Sequence, residues 1–159
     1  MVDERLDRGE RPAPDDYDGR EQEMWQATRP MHAVKRIEIR WRDLDGFAHV
    51  NNSTYLTYLE EARDEFFTDI LGDTVHRVVI RHIEIDFVSG LVHTDDHVDV
   101  ELELESIGTS SATTIERIRS AADGRVAAEA RSVVVHTDAD RSISEPWPDE
   151  SRRALEARL

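Results

Sequence analysis

The chain has 159 residues, with 35 Asp and Glu against 20 Lys and Arg, a formal net charge of −15, 38% hydrophobic residues and no cysteine. That length fits one ordinary domain, which buries about two-thirds of its unfolded surface and so builds a core without metal or disulfide. The missing cysteine excludes disulfide scaffolds, thiolate zinc sites and cysteine nucleophiles, and the acidity excludes bulk binding to nucleic acid or anionic lipid headgroups.

Residues 1–30 hold nine acids and five arginines, which leaves 26 acids against 15 bases for residues 31–159. The acidity therefore belongs to the domain and not to a tail. Lys35 is the only lysine, so nearly every positive charge is an arginine. An acidic, lysine-poor surface stays hydrated where concentrated salt screens its self-repulsion, and we expect a halophilic protein. Residues 1–30, with three prolines and only Met24 and Trp25 as a large apolar pair, read as a disordered acidic N-terminal extension. Met31 directly precedes the first patterned segment, so the domain is expected not to need that extension. Neither an apolar core of signal-peptide length nor a run of about 18 apolar residues occurs, which predicts a soluble, cytoplasmic protein with no membrane partner.

From Ala33 to Trp41 the period is two, with Ile37, Ile39 and Trp41 on one face and Glu38 and Arg40 on the other, as in a half-buried strand. A polar stretch, Arg42 to Asn52, follows. Tyr55, Leu59, Ala62, Phe66 and Ile70 then recur at steps of three and four, which predicts one long helix capped by Asn52 or Ser53 and ended by Gly72. The period returns to two in Val75–Val88, His97–Ile107, Ser111–Ala121 and Arg125–Thr137. Val98, Val100, Leu102 and Leu104 alternate strictly with Asp99, Glu101, Glu103 and Glu105, the pattern of a sheet with one wet face. Gly108 and Asp123-Gly124 mark hairpin turns. Pro146-Trp147-Pro148 precedes a short amphipathic helix from Asp149 to Leu159. The division expected is a 1–30 extension, a 31–145 domain and a 146–159 C-terminal helix. One helix covers only part of such a sheet and its edges are long, so a homodimer, or a dimer of dimers, that continues the sheet is expected.

The stretch that neither period explains is Arg42-Asp43-Leu44-Asp45-Gly46-Phe47-Ala48-His49-Val50-Asn51-Asn52. It sets two carboxylates, a histidine and two amides ahead of a helix start, whose unpaired N–H groups favour a developing oxyanion. A carboxylate there suits attack on, or activation of water toward, a polarised carbonyl, although a structural capping loop accounts for the same composition. Asp-x-Asp-Gly begins like a calcium loop, but its twelfth position is Thr54 and Phe47 replaces a ligand. His49 and Asp45 are too few for a metal site, the histidines at 82, 93, 97 and 136 read as surface or strand-face residues, and no metal or cofactor is expected. Gly108-Thr109-Ser110-Ser111-Ala112 lacks the last glycine of a nucleophile elbow and reads as a turn.

Arg-Trp-Arg-Asp-Leu-Asp, His-Val-Asn-Asn, Tyr-Leu-x-Tyr-Leu-Glu and Glu-x-Ala-Arg, all between Ile39 and Phe66, stand in the order and register of a known motif. The chain resembles hotdog-fold thioesterases of the 4-hydroxybenzoyl-CoA thioesterase group and is similar to plant-type acyl-carrier-protein thioesterases, from about Val34 to Val135. The resemblance implies an α+β hotdog fold, a curved antiparallel sheet wrapped around one long central helix, and an acyl-CoA substrate in a site between two subunits. It places the catalytic carboxylate at Asp45, the carbonyl-polarising amides around Asn52, and a polar pair at His49 and Asn51. Tyr55 and Glu60 then fix the helix start and line the pocket, and Asp43 shapes the loop. Ala48 stands where the motif usually has glycine, and Phe47 where the plant-type enzymes carry asparagine. The sequence thus predicts an acyl-CoA thioesterase. A non-hydrolytic acyl-CoA-binding module, an acyl-carrier-protein thioesterase and a dehydratase-type hotdog enzyme are its alternatives. Phe66, Phe67, Val79 and Ile83 are candidates for setting pocket depth. Arg77, Arg81, Arg117, Arg119 and Arg131 are candidates for holding CoA phosphates.

Overall fold

The computed structural model describes residues 33–159; the predicted extension lies outside them. Five strands, β1 (Ala33–Glu38), β2 (Val78–Phe87), β3 (His97–Ile107), β4 (Ser111–Ser120) and β5 (Val126–His136), form one antiparallel sheet in the order β1-β3-β4-β5-β2. One long helix, α1 (Asn52–Leu71), packs against it, and a short helix, α2 (Asp149–Glu156), closes the chain. The alternation read from the sequence sets the faces. Val98, Val100, Leu102 and Leu104 are buried, and so are Ile118, Ala128 and Ala130 on the neighbouring strands, which turn the same way by register.

The other face of the sheet is a lattice of cross-strand ion pairs. Arg36 binds Asp99 with two bonds of 2.8 Å, Arg119 binds Glu101, Arg117 binds Glu129 and Arg131 binds Glu105. Beneath α1 the core divides into two clusters. Tyr55, Tyr58, Leu59 and Ala62 meet Ile37, Ile39, Val98 and Leu91 in one. Phe66, Phe67 and Leu71 meet Leu102, Leu104, Trp147 and Leu155 in the other, which carries the C-terminal segment into the same core.

Several boundaries differ from expectation. The first strand stops at Glu38, and Trp41 lies in a short 3-10 turn, 77% exposed instead of facing the core. Asn51, not Asn52 or Ser53, caps α1, its Oδ1 accepting from the Ser53 N–H at 2.9 Å. Gly72 ends the helix as expected, at φ 52°, a conformation open to glycine at little cost. Residues 72–77 continue as a 3-10 turn, so β2 begins at Val78 instead of Val75.

A charged pair interrupts the apolar helix–sheet contact. Arg63 on α1 donates from Nη1 to Glu116 Oε2 at 2.8 Å, and the Thr114 and Ser132 hydroxyls complete the carboxylate's shell at 2.7 and 3.1 Å. Burial pushes the Glu116 carboxyl above its ordinary range, against the pull of Arg63 and the hydroxyls. Removing one partner strands the other's charge. Glu116→Leu should therefore cost about 3 kcal/mol in urea unfolding, and the double variant Arg63→Met/Glu116→Leu should recover most of it.

Candidate active site

The loop between β1 and α1 is built around Asp43. Its buried carboxylate Oδ2 accepts from the Arg40 N–H at 2.8 Å and from the Tyr58 hydroxyl at 2.9 Å. Its carbonyl accepts from the Asn51 N–H at 2.8 Å. One residue thus ties the end of the first strand, the end of the loop and the second turn of α1. Burial, reinforced by Asp43, holds the Tyr58 phenol above the tyrosine range, so Tyr58 remains a donor.

Between these ties the chain doubles back. Leu44 bridges Val50, and the Asp45 N–H donates to the His49 carbonyl at 2.7 Å. The half-buried Asp45 carboxylate holds the tip through Oδ1, which accepts from Phe47 N–H at 2.8 Å and His49 N–H at 3.2 Å. Its Oδ2 has no hydrogen-bond partner among the described residues. Ala48 turns the tip at φ 62°, in the left-handed region where alanine costs about 1 kcal/mol more than glycine. The alanine at the motif's usual glycine position is accommodated without losing that turn.

His49 Nδ1–H donates to the Phe47 carbonyl at 3.0 Å, an acceptor that fixes a proton on Nδ1, so that in the neutral ring Nε2 is the acceptor. The ring lies over Gly90, where a Cβ would come within 3.0 Å of His49 Cδ2. Downstream, α1 offers its first amides. Ser53 N–H is taken by the Asn51 side chain and Thr54 N–H by the Asn51 carbonyl at 2.8 Å, while Asn52 N–H has no acceptor among the described residues.

The other predicted residues serve different parts of this frame. Asn51 is the helix cap. Tyr55 is buried, its ring edge-on to Phe87, and its hydroxyl accepts from Leu91 N–H at 3.2 Å, so it anchors the segment behind His49. Glu60 is exposed on α1 and lines a cavity of about 240 Å³ with Leu56, Phe67, Val79 and Ile83. Phe66 lies outside that cavity, packed edge-on to Phe67 in the core. Of the proposed phosphate ligands, Arg77 is held by Glu145 and the Thr137 carbonyl, and Arg117, Arg119 and Arg131 by carboxylates of the sheet's ion-pair face. Arg81 alone of the five forms no ion pair among the described residues.

Asp95 and Arg125 went unrecognised in the sequence. Arg125 grips Asp95 with bonds of 2.8 and 2.5 Å and donates to the Gly90 carbonyl at 3.0 Å. Asp95 also accepts from Val92 N–H at 2.9 Å and Ser120 Oγ at 2.9 Å. Val92 is the backbone bridge partner of His49, so this network holds the strip on which the histidine rests.

The class follows from this arrangement of one helix on an antiparallel sheet, with a carboxylate-bearing loop at the helix start. The chain belongs to the thioesterase-like superfamily, whose family model matches residues 39–155. It has the hotdog fold. It is similar to a thioesterase from Thermus thermophilus crystallised with coenzyme A and Zn, at 28% identity over 79% of this chain and 98% of that one, with a TM-score of 0.72. It is also similar to a predicted thioesterase from Bacillus stearothermophilus, at 32% identity over 79% and 95% of the two chains, TM-score 0.72. A 1,4-dihydroxy-2-naphthoyl-CoA thioesterase from Synechocystis shares the fold at 16% identity over 77% and 93%, TM-score 0.68. Nothing among curated proteins matches the chain.

Burial opposes ionisation of Asp95, but Arg125, the Val92 N–H and the Ser120 hydroxyl outweigh it and hold the carboxyl below the ordinary aspartate range. A depressed native value stabilises the fold above the unfolded-state pKa of about 4, and that contribution fades as pH falls through the native value. Asp95→Asn should therefore lower urea stability by about 2 kcal/mol at pH 7, with the gap to wild type narrowing below about pH 4.

Proposed function

We propose that the protein hydrolyses acyl-CoA thioesters to a free carboxylic acid and CoA. Asp45 acts as nucleophile or general base, and the carbonyl oxygen is polarised by the amide of Asn52. The observation that carries this reading is the division of labour within the Asp45 carboxylate. Oδ1 is consumed in holding the loop tip, which leaves Oδ2 oriented by its sister oxygen and unencumbered. A carboxylate already fixed needs little further ordering to meet a substrate. The open Asn52 N–H stands at the positive end of α1, where negative charge on a carbonyl oxygen is favoured.

His49 and Asn51 support the site, His49 through its open Nε2 and Asn51 by keeping the helix start in place. The acyl group extends along α1 toward the cavity beside Glu60, whose lining is mostly apolar. The protein works as a homodimer or a dimer of dimers joined at β2. That ten-residue edge strand ends at Phe87, which Val88 follows directly; the two are 49% and 57% exposed, and the strand's outer edge is unpaired among the described residues. No helix among the described residues is long and apolar enough to cross a membrane. The acidic, lysine-poor composition supports work in a salt-rich cytoplasm.

Asp45→Asn keeps the loop-holding acceptor and removes the charge. The variant should retain the wild-type circular dichroism spectrum and elution volume while losing at least about a hundredfold in kcat. Undiminished hydrolysis by a folded Asp45→Asn protein would refute the mechanism.

A further inference from the structure

An acidic protein that binds a CoA thioester must somewhere offer its phosphates a local positive field. The ion-pair face of the sheet does not supply it, because its arginines are committed to carboxylates. The Arg40-Trp41-Arg42 step, immediately before the site loop, differs. Trp41 is 77% exposed and stacks on the His93 ring, with centroids 4.2 Å apart and planes inclined by 26°. An indole stacked on a second ring on one face while so exposed has its position fixed and area still open. Arg42 is exposed, Arg40 is half-buried, and neither guanidinium forms an ion pair among the described residues. Three neighbouring acids are engaged elsewhere: Asp43 by Arg40 N–H and Tyr58, Asp96 by His97 Nδ1 at 2.8 Å, and Asp95 by Arg125.

We propose that Trp41, backed by His93 and flanked by Arg40 and Arg42, is the platform for the nucleotide end of the thioester substrate. The purine stacks on the indole and the arginines pair with its phosphates. This rests on the thioesterase reading of the Asp45 loop. Stacking on an aromatic ring suits any flat base, and planar guanidinium groups suit phosphate oxygens. The platform and the site share one frame on both sides. Trp41 precedes Asp45 by four residues, at most about 14 Å of extended chain. His93 follows Val92, whose backbone bridges His49. A substrate arm running from the platform to Asp45 therefore meets groups held rigidly relative to each other.

The test compares an acyl-CoA with the same acyl group on N-acetylcysteamine, which has the thioester but no nucleotide, in the full-length wild type and in Trp41→Leu/Arg42→Gln. Both residues are on the surface, so the double variant folds. The ratio of kcat/KM for the CoA ester to that for the N-acetylcysteamine ester should fall at least about tenfold in the variant at low salt. An unchanged ratio overturns the platform, as does a ratio that collapses in Arg81→Gln and not in Trp41→Leu/Arg42→Gln. If the wild type hydrolyses neither ester with short-chain, long-chain or aromatic acyl groups, the thioesterase reading fails, and calorimetric titration with adenosine 3′,5′-bisphosphate decides the platform separately. Binding by wild type that the double variant loses supports it; equal binding, or none by either, overturns it.

Discussion

Everything in the candidate site hangs from the carboxylate of Asp43. It is buried and accepts from the Arg40 N–H just past the first strand and from the Tyr58 hydroxyl one turn into α1, while the backbone carbonyl of Asp43 receives the chain as it re-enters the helix. The loop from 44 to 50 is thereby closed at its base. A closed base lets a single oxygen of Asp45 hold the tip, which leaves the other oxygen without a hydrogen-bond partner among the described residues. The two aspartates of Asp-Leu-Asp hold the base and the tip of the loop, and the proposed mechanism gives the reactive role to the second.

A second support acts from the opposite side. Arg125 reaches from beyond β4 to hold Asp95 and the Gly90 carbonyl, and Tyr55 holds Leu91 N–H, so the strip carrying Gly90 is fixed at three points. His49 rests on that strip, and Gly90 is small because the ring occupies the space of its side chain. The site is thus a loop pressed between the helix that starts it and a strip tied to the sheet. The buried Arg63–Glu116 pair pins the middle of the same helix to the sheet it covers.

Much of this was legible in the sequence. Strict alternation through Val98–Glu105 gave β3 its bounds and face, because a sheet with one wet side repeats every two residues. The motif in the loop pointed to Asp45 and to the helix start. What the sequence hid depended on distant partners. Alternation puts Glu116 on the inner face of β4, but only Arg63, 53 residues away, makes a charge tolerable there. Arg117, Arg119 and Arg131, three of the five candidates for phosphate binding, are cross-strand partners of carboxylates, a pairing fixed by register that no local pattern reveals. Trp41 fitted a period of two until the backbone left the strand, and a 3-10 turn carried its ring outward. The cap moved one residue because Asn51 reaches Ser53 N–H from an extended backbone that Asn52, already helical, does not have. The preference for arginine over lysine also gains a cause: a planar fork binds a carboxylate with two bonds, as Arg36 does with Asp99, and so orders a surface dense in acids.

The central claim is that a preset carboxylate at a helix start makes this hotdog protein a hydrolase and not merely a holder of acyl-CoA. The most direct measurement is thiol release by the wild-type protein across short-chain, long-chain and aromatic acyl-CoAs in molar KCl, with binding of each followed in parallel. A hydrolase releases free CoA and carboxylic acid in equal amounts over many turnovers for at least one of these classes. Saturable binding across the series without any release of thiol would contradict the central claim.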